Sequence, residues 1–259
     1  MSHFWQALRT GSWLTPARIR GYALLVLAIS LAGLIGLVAT SQHLIDRNGK
    51  PIGTDFSNVY AAGVLTLSGK APDAYDPKLQ HAAEIAVFEG RDVPFFGWHY
   101  PPFFLMIAAL LALMPYALAL LCWLAVSLPA FMIAVHAIVP RRETWLVTAA
   151  FPAVFVNVGH GQNAFFTAAL LGGFLTLLNR RPVIAGILLG LLSYKPQFGL
   201  LIPLVLLVTG RWTTMLSATA TVAVLIGAST LLFGVSVWHA FIESATFTRT
   251  IVLEAGGTG

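Results

Sequence analysis

The run Tyr22–Thr40 contains no charged residue and is about as long as one bilayer crossing, which takes roughly 20 apolar residues. More apolar runs follow at 102–114, 116–139, 144–158, 164–179, 183–194, 197–209 and 213–233. With 58% hydrophobic and 10% charged residues and a mean hydropathy of +0.81, the chain is far from the roughly 25% charge of a soluble domain. It has too little polar surface to cover itself in water, so lipid must be part of its solvent. The expected fold class is an all-α membrane protein. Tyr22–Thr40 lacks a small-x-small cleavage site and is followed by further spans, so it is expected to be an anchored first helix and not a removed signal. Cys122 is the single cysteine, which excludes an intrachain disulfide.

The net charge of +5 could suggest nucleic acid, but the bases sit between apolar runs and read as topology signals, so no nucleic-acid partner is expected. Arg9, Arg18, Arg20, Arg141, Arg142, Arg180, Arg181 and Arg211 lie at the N-terminus or in short connections, whereas residues 41–100 hold more acids than bases. The positive-inside rule then puts the N-terminus in the cytoplasm and the long loop outside. The expected divisions are a basic cytoplasmic N-terminus (1–21), a first transmembrane helix (22–40), an outer loop (41–100), a helical membrane bundle (101–233) and a polar tail (234–259). Arg141 and Arg142 stay inside only if 102–114 and 116–139, split at Met114-Pro115, make one net crossing. Several runs are shorter than a full span, and short, Pro-interrupted helices suggest a cavity within the membrane.

In the outer loop, Phe56, Val59, Tyr60, Gly63, Val64 and Leu67 follow one helical face, which predicts an amphipathic helix ended by Gly69. Asp76-Pro77 starts a second helix, with Asp at N-cap and Pro at N1, ended by Gly90. Two such helices beside a bilayer are expected to lie in the interface. Asp55 occupies the position where an N-cap of the first helix belongs, and capping alone accounts for it. A carboxylate held at a helix N-terminus is also oriented and kept ionised, as a general base requires. The loop closes on Phe95-Phe96-Gly97-Trp98-His99-Tyr100-Pro101-Pro102. Such a cluster reads first as an interfacial aromatic belt, although His99 and Tyr100 could face a polar ligand.

Two polar islands interrupt the apolar runs, Asn157-Val158-Gly159-His160-Gly161-Gln162-Asn163 and Ser193-Tyr194-Lys195-Pro196-Gln197. A lysine at membrane depth is costly and is a functional candidate, against the simpler reading of a snorkelling helix-end lysine. The arginine pattern turns both islands to the same side as Asp55. The histidines have no metal-ligand spacing, and there is no HExxH motif, cysteine pair, Walker motif, GxGxxG or serine nucleophile elbow, so no metal or cofactor is expected. What remains is a carboxylate base, a cation and several amides beside an apolar cavity, which suits a substrate with a lipid tail, a phosphate and a polyol. Lys195 would stabilise a leaving phosphate and Asp55 would deprotonate an acceptor hydroxyl.

These residues resemble a known family. Thr54-Asp55-Phe56 with Tyr60-Ala61-Ala62-Gly63, Tyr75-Asp76-Pro77, His99-Tyr100-Pro101-Pro102-Phe103, Gly159-His160-Gly161-Gln162-Asn163 and Tyr194-Lys195-Pro196-Gln197 together resemble glycosyltransferase family 87 over about residues 20–259. The resemblance implies a GT-C-type multi-span helical bundle with a large first outer loop carrying an essential acid. It implies an inverting transferase that moves a hexose, with mannose expected, from a polyprenyl-phosphate-sugar to a glycan or glycolipid acceptor at the outer face of a bacterial inner membrane. By this resemblance Asp55 is the base, Lys195 and His160 contact the donor phosphate, and Gln162, Asn163, Gln197, His99 and Tyr100 line the sugar or acceptor site. It also implies further helices past Gly256-Gly257-Thr258-Gly259, so the polar tail is expected to be truncated relative to the family. Two other classes stay open on the sequence: a transporter or flippase of a lipid-linked or polyol substrate, and a non-catalytic membrane scaffold.

Overall fold

The structure is a computed structural model that describes residues 3–248; residues 249–259 of the expected tail lie outside the described residues. The helices are α1 (His3–Thr10), α2 (Pro16–Ala39), α3 (Thr54–Leu67), α4 (Pro77–Val87), α5 (Phe104–Ala112), α6 (Tyr116–Ile138), α7 (Arg142–Ala149), α8 (Pro152–His160), α9 (Ala164–Leu177), α10 (Pro182–Leu191), α11 (Phe198–Val208), α12 (Trp212–Phe233) and α13 (Ser236–Thr248). Short 3₁₀ segments lie at Ala71–Tyr75 and Leu192–Tyr194. No strand forms among the described residues beyond isolated bridges from Ile45 to Gln42 and Pro51. The all-α class expected from the sequence is the class observed.

Among the described residues, three helices are long and apolar enough to cross a membrane: α2, α6 and α12. Leu24, Leu25, Ile29 and Ile35 of α2 and Val224, Leu231 and Leu232 of α12 are exposed. Apolar faces of this extent suit lipid and are too large for water, so the chain is a membrane protein. The run 144–158, expected as one helix, is two, α7 and α8. Phe151 precedes Pro152 and adopts φ −65°, ψ 126°, because a proline ring clashes with a helical residue before it. At a 1.5 Å rise per residue, the nine residues of α5 cover only about 14 Å, so α5 alone cannot cross.

Small residues set the helix spacing. Gly186 and Gly190, one turn apart on α10, face α12, where an added Cβ would strike the Thr214 carbonyl or the Thr221 side chain. This is the small-residue contact that lets membrane helices approach closely, and Ser217 Oγ reinforces it by donating to the Val183 carbonyl at 2.8 Å. Gly63 plays the same part between α3 and α5, where its Cβ would fall on the carbonyl of Ala108. The buried stripe of α3 includes Phe56, Val59 and Gly63 as expected, but Ser57, Asn58, Ala61 and Ala62 are buried too. Thus α3 does not simply lie in an interface: α4, the Ala71–Tyr75 segment, α5 and α8 pack against it. The tail expected to be polar from 234 begins with helix α13, which packs on the Ala71–Tyr75 segment through an edge-on Tyr75–Phe241 contact at 5.7 Å.

Candidate active site

A cavity of about 600 Å³ opens where α3, α4, the 95–100 loop, the end of α8, the Tyr194–Gln197 turn and α13 meet. Asp55, His99, Tyr100, Gln162, Lys195 and Gln197 all line it. These residues lie as much as 142 positions apart in the chain (197 − 55).

Asp55 is not the N-cap the sequence suggested. Gly53 is the cap, in the left-handed region at φ +78°, and Asp55 sits in the first turn of α3. Glycine is required there for its positive φ. It is also confined, since an added Cβ would come 3.0 Å from Leu120. The turn is pinned from two sides. Tyr116 Oη donates to the Ile52 carbonyl at 2.7 Å and lies 3.1 Å from that of Gly53, and Gly53 N–H donates to the Gly159 carbonyl at 3.1 Å. With no hydrogen-bonded cap duty, the half-buried Asp55 side chain forms part of the cavity wall.

Lys195 follows the 3₁₀ segment that ends α10. It is half-buried, and burial pulls its ammonium below the usual lysine value while Asp55 pulls it back up. Both ion pairs among the described residues involve Glu89, with His43 at 3.4 Å and Arg91 at 3.3 Å. Asp55 and Lys195 therefore feel each other across the cavity without a closed salt bridge. Tyr100 is raised above the usual phenol value first by burial, opposed by the Asn163 hydrogen bond, with the Asp55 charge adding to the rise. His99, partly covered by the wall, is lowered by burial.

His160 and Asn163 are not in the wall. His160 Nδ1 meets Thr54 Oγ1 at 2.5 Å, beside Asp55 in sequence but behind the first turn of α3. Asn163 is buried, and its Nδ2 donates to Tyr100 Oη at 2.7 Å. Both residues position their neighbours. The island around them folds tightly because Gly161 takes φ +62° and Asn157 Nδ2 closes on the Gln162 carbonyl at 3.1 Å. A Cβ on Gly161 would come 2.7 Å from Phe56 Cβ, so this glycine lets α8 end against the start of α3.

Sequence reasoning missed Asn58, Tyr75, Gln80, Trp98 and Tyr194, which also line the cavity. Asn58 was within reach, because it lies three residues past Asp55 and so shares its helix face. Also missed was Glu84, fully buried on α4. Its Oε2 accepts from the Phe96 N–H at 3.0 Å, fixing the aromatic loop. Burial pushes its carboxyl up to about 8, against the opposing pull of the Phe96 N–H and the Gln80 side chain. Among the described residues no group of three His, Cys, Asp or Glu side chains could hold a metal ion.

No curated protein and no solved structure matches the chain. The model of glycosyltransferase family 87 matches residues 98–258, a stretch that holds His99, Tyr100, Gln162, Lys195 and Gln197 of the cavity and begins after Asp55. That match covers more than half of the sequence, and the chain belongs to glycosyltransferase family 87.

Proposed function

We propose that this glycosyltransferase is a GT-C-type, inverting enzyme that moves a hexose, mannose by the family resemblance, from a polyprenyl-phosphate-sugar to an acceptor hydroxyl. One observation carries the reading: a carboxylate free of capping duty and a lysine ammonium line the same cavity without being paired. An acceptor hydroxyl gives its proton to Asp55 as its oxygen bonds to C1 of the sugar. The bond from C1 to the phosphate oxygen breaks on the opposite face, which inverts the anomeric centre. The charge that develops on the departing polyprenyl phosphate is stabilised by the Lys195 ammonium. Gln162, Gln197, His99 and Tyr100 supply hydrogen-bonding groups around the sugar, while His160 and Asn163 act through Thr54 and Tyr100.

The arginine distribution supports a cytoplasmic residue 1–21 segment and a cavity on the outer side of a bacterial inner membrane. The shortness of α5 supports one net crossing for α5 and α6 together. The test is transfer of radiolabelled mannose from polyprenyl-phosphate-mannose by purified protein in lipid. Asp55→Asn is expected to lower the rate by about 10²–10⁴-fold, the usual contribution of a general base. Transfer by Asp55→Asn at the wild-type rate would remove Asp55 as the base.

A further inference from the structure

Away from the candidate active site, a second cavity of about 580 Å³ lies between the first turns of α2 and α7. From α2 it takes Ile19 and Arg20. From α7 it takes Arg142 with Leu146 and Glu143 with Val147, two pairs one helical turn apart and so on one face. Both arginines are exposed. Neither is in an ion pair, because both ion pairs among the described residues involve Glu89. Arg18, by contrast, is committed, its Nη1 donating to the Trp13 carbonyl at 2.9 Å. A lone arginine at the end of a membrane helix needs no ligand, since it can snorkel to water. Two guanidinium groups brought to one groove from helices far apart in sequence repel one another, and Glu143 offsets only one of the two charges. The rest of the wall, with Ile19, Leu146 and Val147, is apolar. From there α2 runs on as an uncharged stretch from Tyr22, with Leu24 and Leu25 exposed.

We propose that this groove holds an anionic phospholipid, with its phosphate between Arg20 and Arg142 and the start of its acyl chains against Ile19, Leu146 and Val147. The excess positive charge draws an anion, and guanidinium groups match phosphate oxygens through paired N–H donors. The apolar wall and the exposed face of α2 favour an anion that carries hydrocarbon over one dissolved in water. Basic pockets between membrane helices are places where anionic headgroups bind. The eight residues of α7 are too few to cross a bilayer alone, and the bound lipid ties the start of this short helix to the start of α2. The proposal is independent of the transfer chemistry, since no residue of this groove lines the first cavity.

The experiment reads lipid association directly. The full chain is placed in phosphatidylcholine nanodiscs that carry trace spin-labelled phosphatidylglycerol or trace spin-labelled phosphatidylcholine. Electron spin resonance then gives the fraction of label immobilised by the protein. Phosphatidylglycerol is expected to associate about fivefold more strongly than phosphatidylcholine. Arg20→Gln and Arg142→Gln should each lower that preference about twofold, and the double variant should remove most of it. Val147→Trp fills the groove from an exposed position without changing a charge. It should lower the preference as well, and it serves alone if the arginine variants do not fold. Arg180→Gln removes an equal charge outside the groove and should leave the preference unchanged. Equal association of the two lipids, an equal loss in Arg180→Gln, or an undiminished preference in the folded groove variants would overturn the site. Displacement of the label by inorganic phosphate, or by polyprenyl phosphate but not by unlabelled phosphatidylglycerol, would overturn it too, because a soluble anion or the carrier lipid would then be the occupant.

Discussion

Glu84 offers the sharpest physical test, because it is a carboxyl with no exposed surface, held by the Phe96 N–H and the Gln80 side chain with no cation among its partners. Its pKa rises from the ordinary 4.5 to about 8 through burial. Below 4.5 the group is protonated both folded and unfolded and costs nothing. As pH climbs, the unfolded chain ionises while the folded chain holds its proton, so stability falls until the folded pKa is passed. At 1.36 kcal/mol for each tenfold difference, the shift from 4.5 to about 8 amounts to about 3 kcal/mol at pH 7 and about 5 kcal/mol above pH 8. Glu84→Gln keeps an oxygen for the Phe96 N–H and cannot ionise. The variant should match wild type near pH 4.5, exceed it by about 3 kcal/mol at pH 7 and gain further by pH 9. Thermal unfolding in nanodiscs at matched scan rates, at pH 4.5, 7 and 9, reads this directly. Parallel pH curves for the two proteins would show that Glu84 is ionised in the folded state and would refute the argument.

Three further outcomes follow from the packing. Gly63→Ala should force α3 and α5 apart and cost about 1–3 kcal/mol, seen as a lower unfolding temperature. Asp76 caps α4 by accepting from Lys78 N–H at 2.8 Å and Leu79 N–H at 3.1 Å, so Asp76→Ala should cost about 1 kcal/mol by the same measurement. Lys195→Ala should lower the transfer rate at saturating acceptor by at least about tenfold while leaving the acceptor KM within about twofold, measured by steady-state kinetics. A change confined to the acceptor KM would instead assign Lys195 to acceptor binding.

Much of the fold was legible because the bilayer enforces it. Long uncharged runs such as Tyr22–Thr40 can only be helices in lipid, and α2, α6 and α12 match their runs closely. Local rules also read well where both cap elements stand side by side, as at Asp76-Pro77, where the predicted cap and N1 proline are observed. They misled at Asp55. The contacts from Tyr116 and Gly159 hold Gly53 as the cap and leave Asp55 two positions further in, within the first turn. The segment from Ser236 read as a polar tail because its apolar face is short. It becomes α13 by packing on Tyr75, a partner far away in the chain.

The sequence by itself determined that this is an all-α membrane protein, where its long apolar helices α2, α6 and α12 lie and which motifs carry polar residues. Those properties depend on residue type and spacing within one helix. The tertiary structure decided which polar residues share a space. Asp55, Gln162 and Lys195 meet in one cavity while His160 and Asn163 stand behind it. It also decided that Gln80 on α4 donates to the backbone carbonyl of Asn58 on α3, and that Glu84 is sealed from solvent. Burial and hydrogen-bond satisfaction are properties of what surrounds a side chain, and those surroundings come from helices distant in sequence.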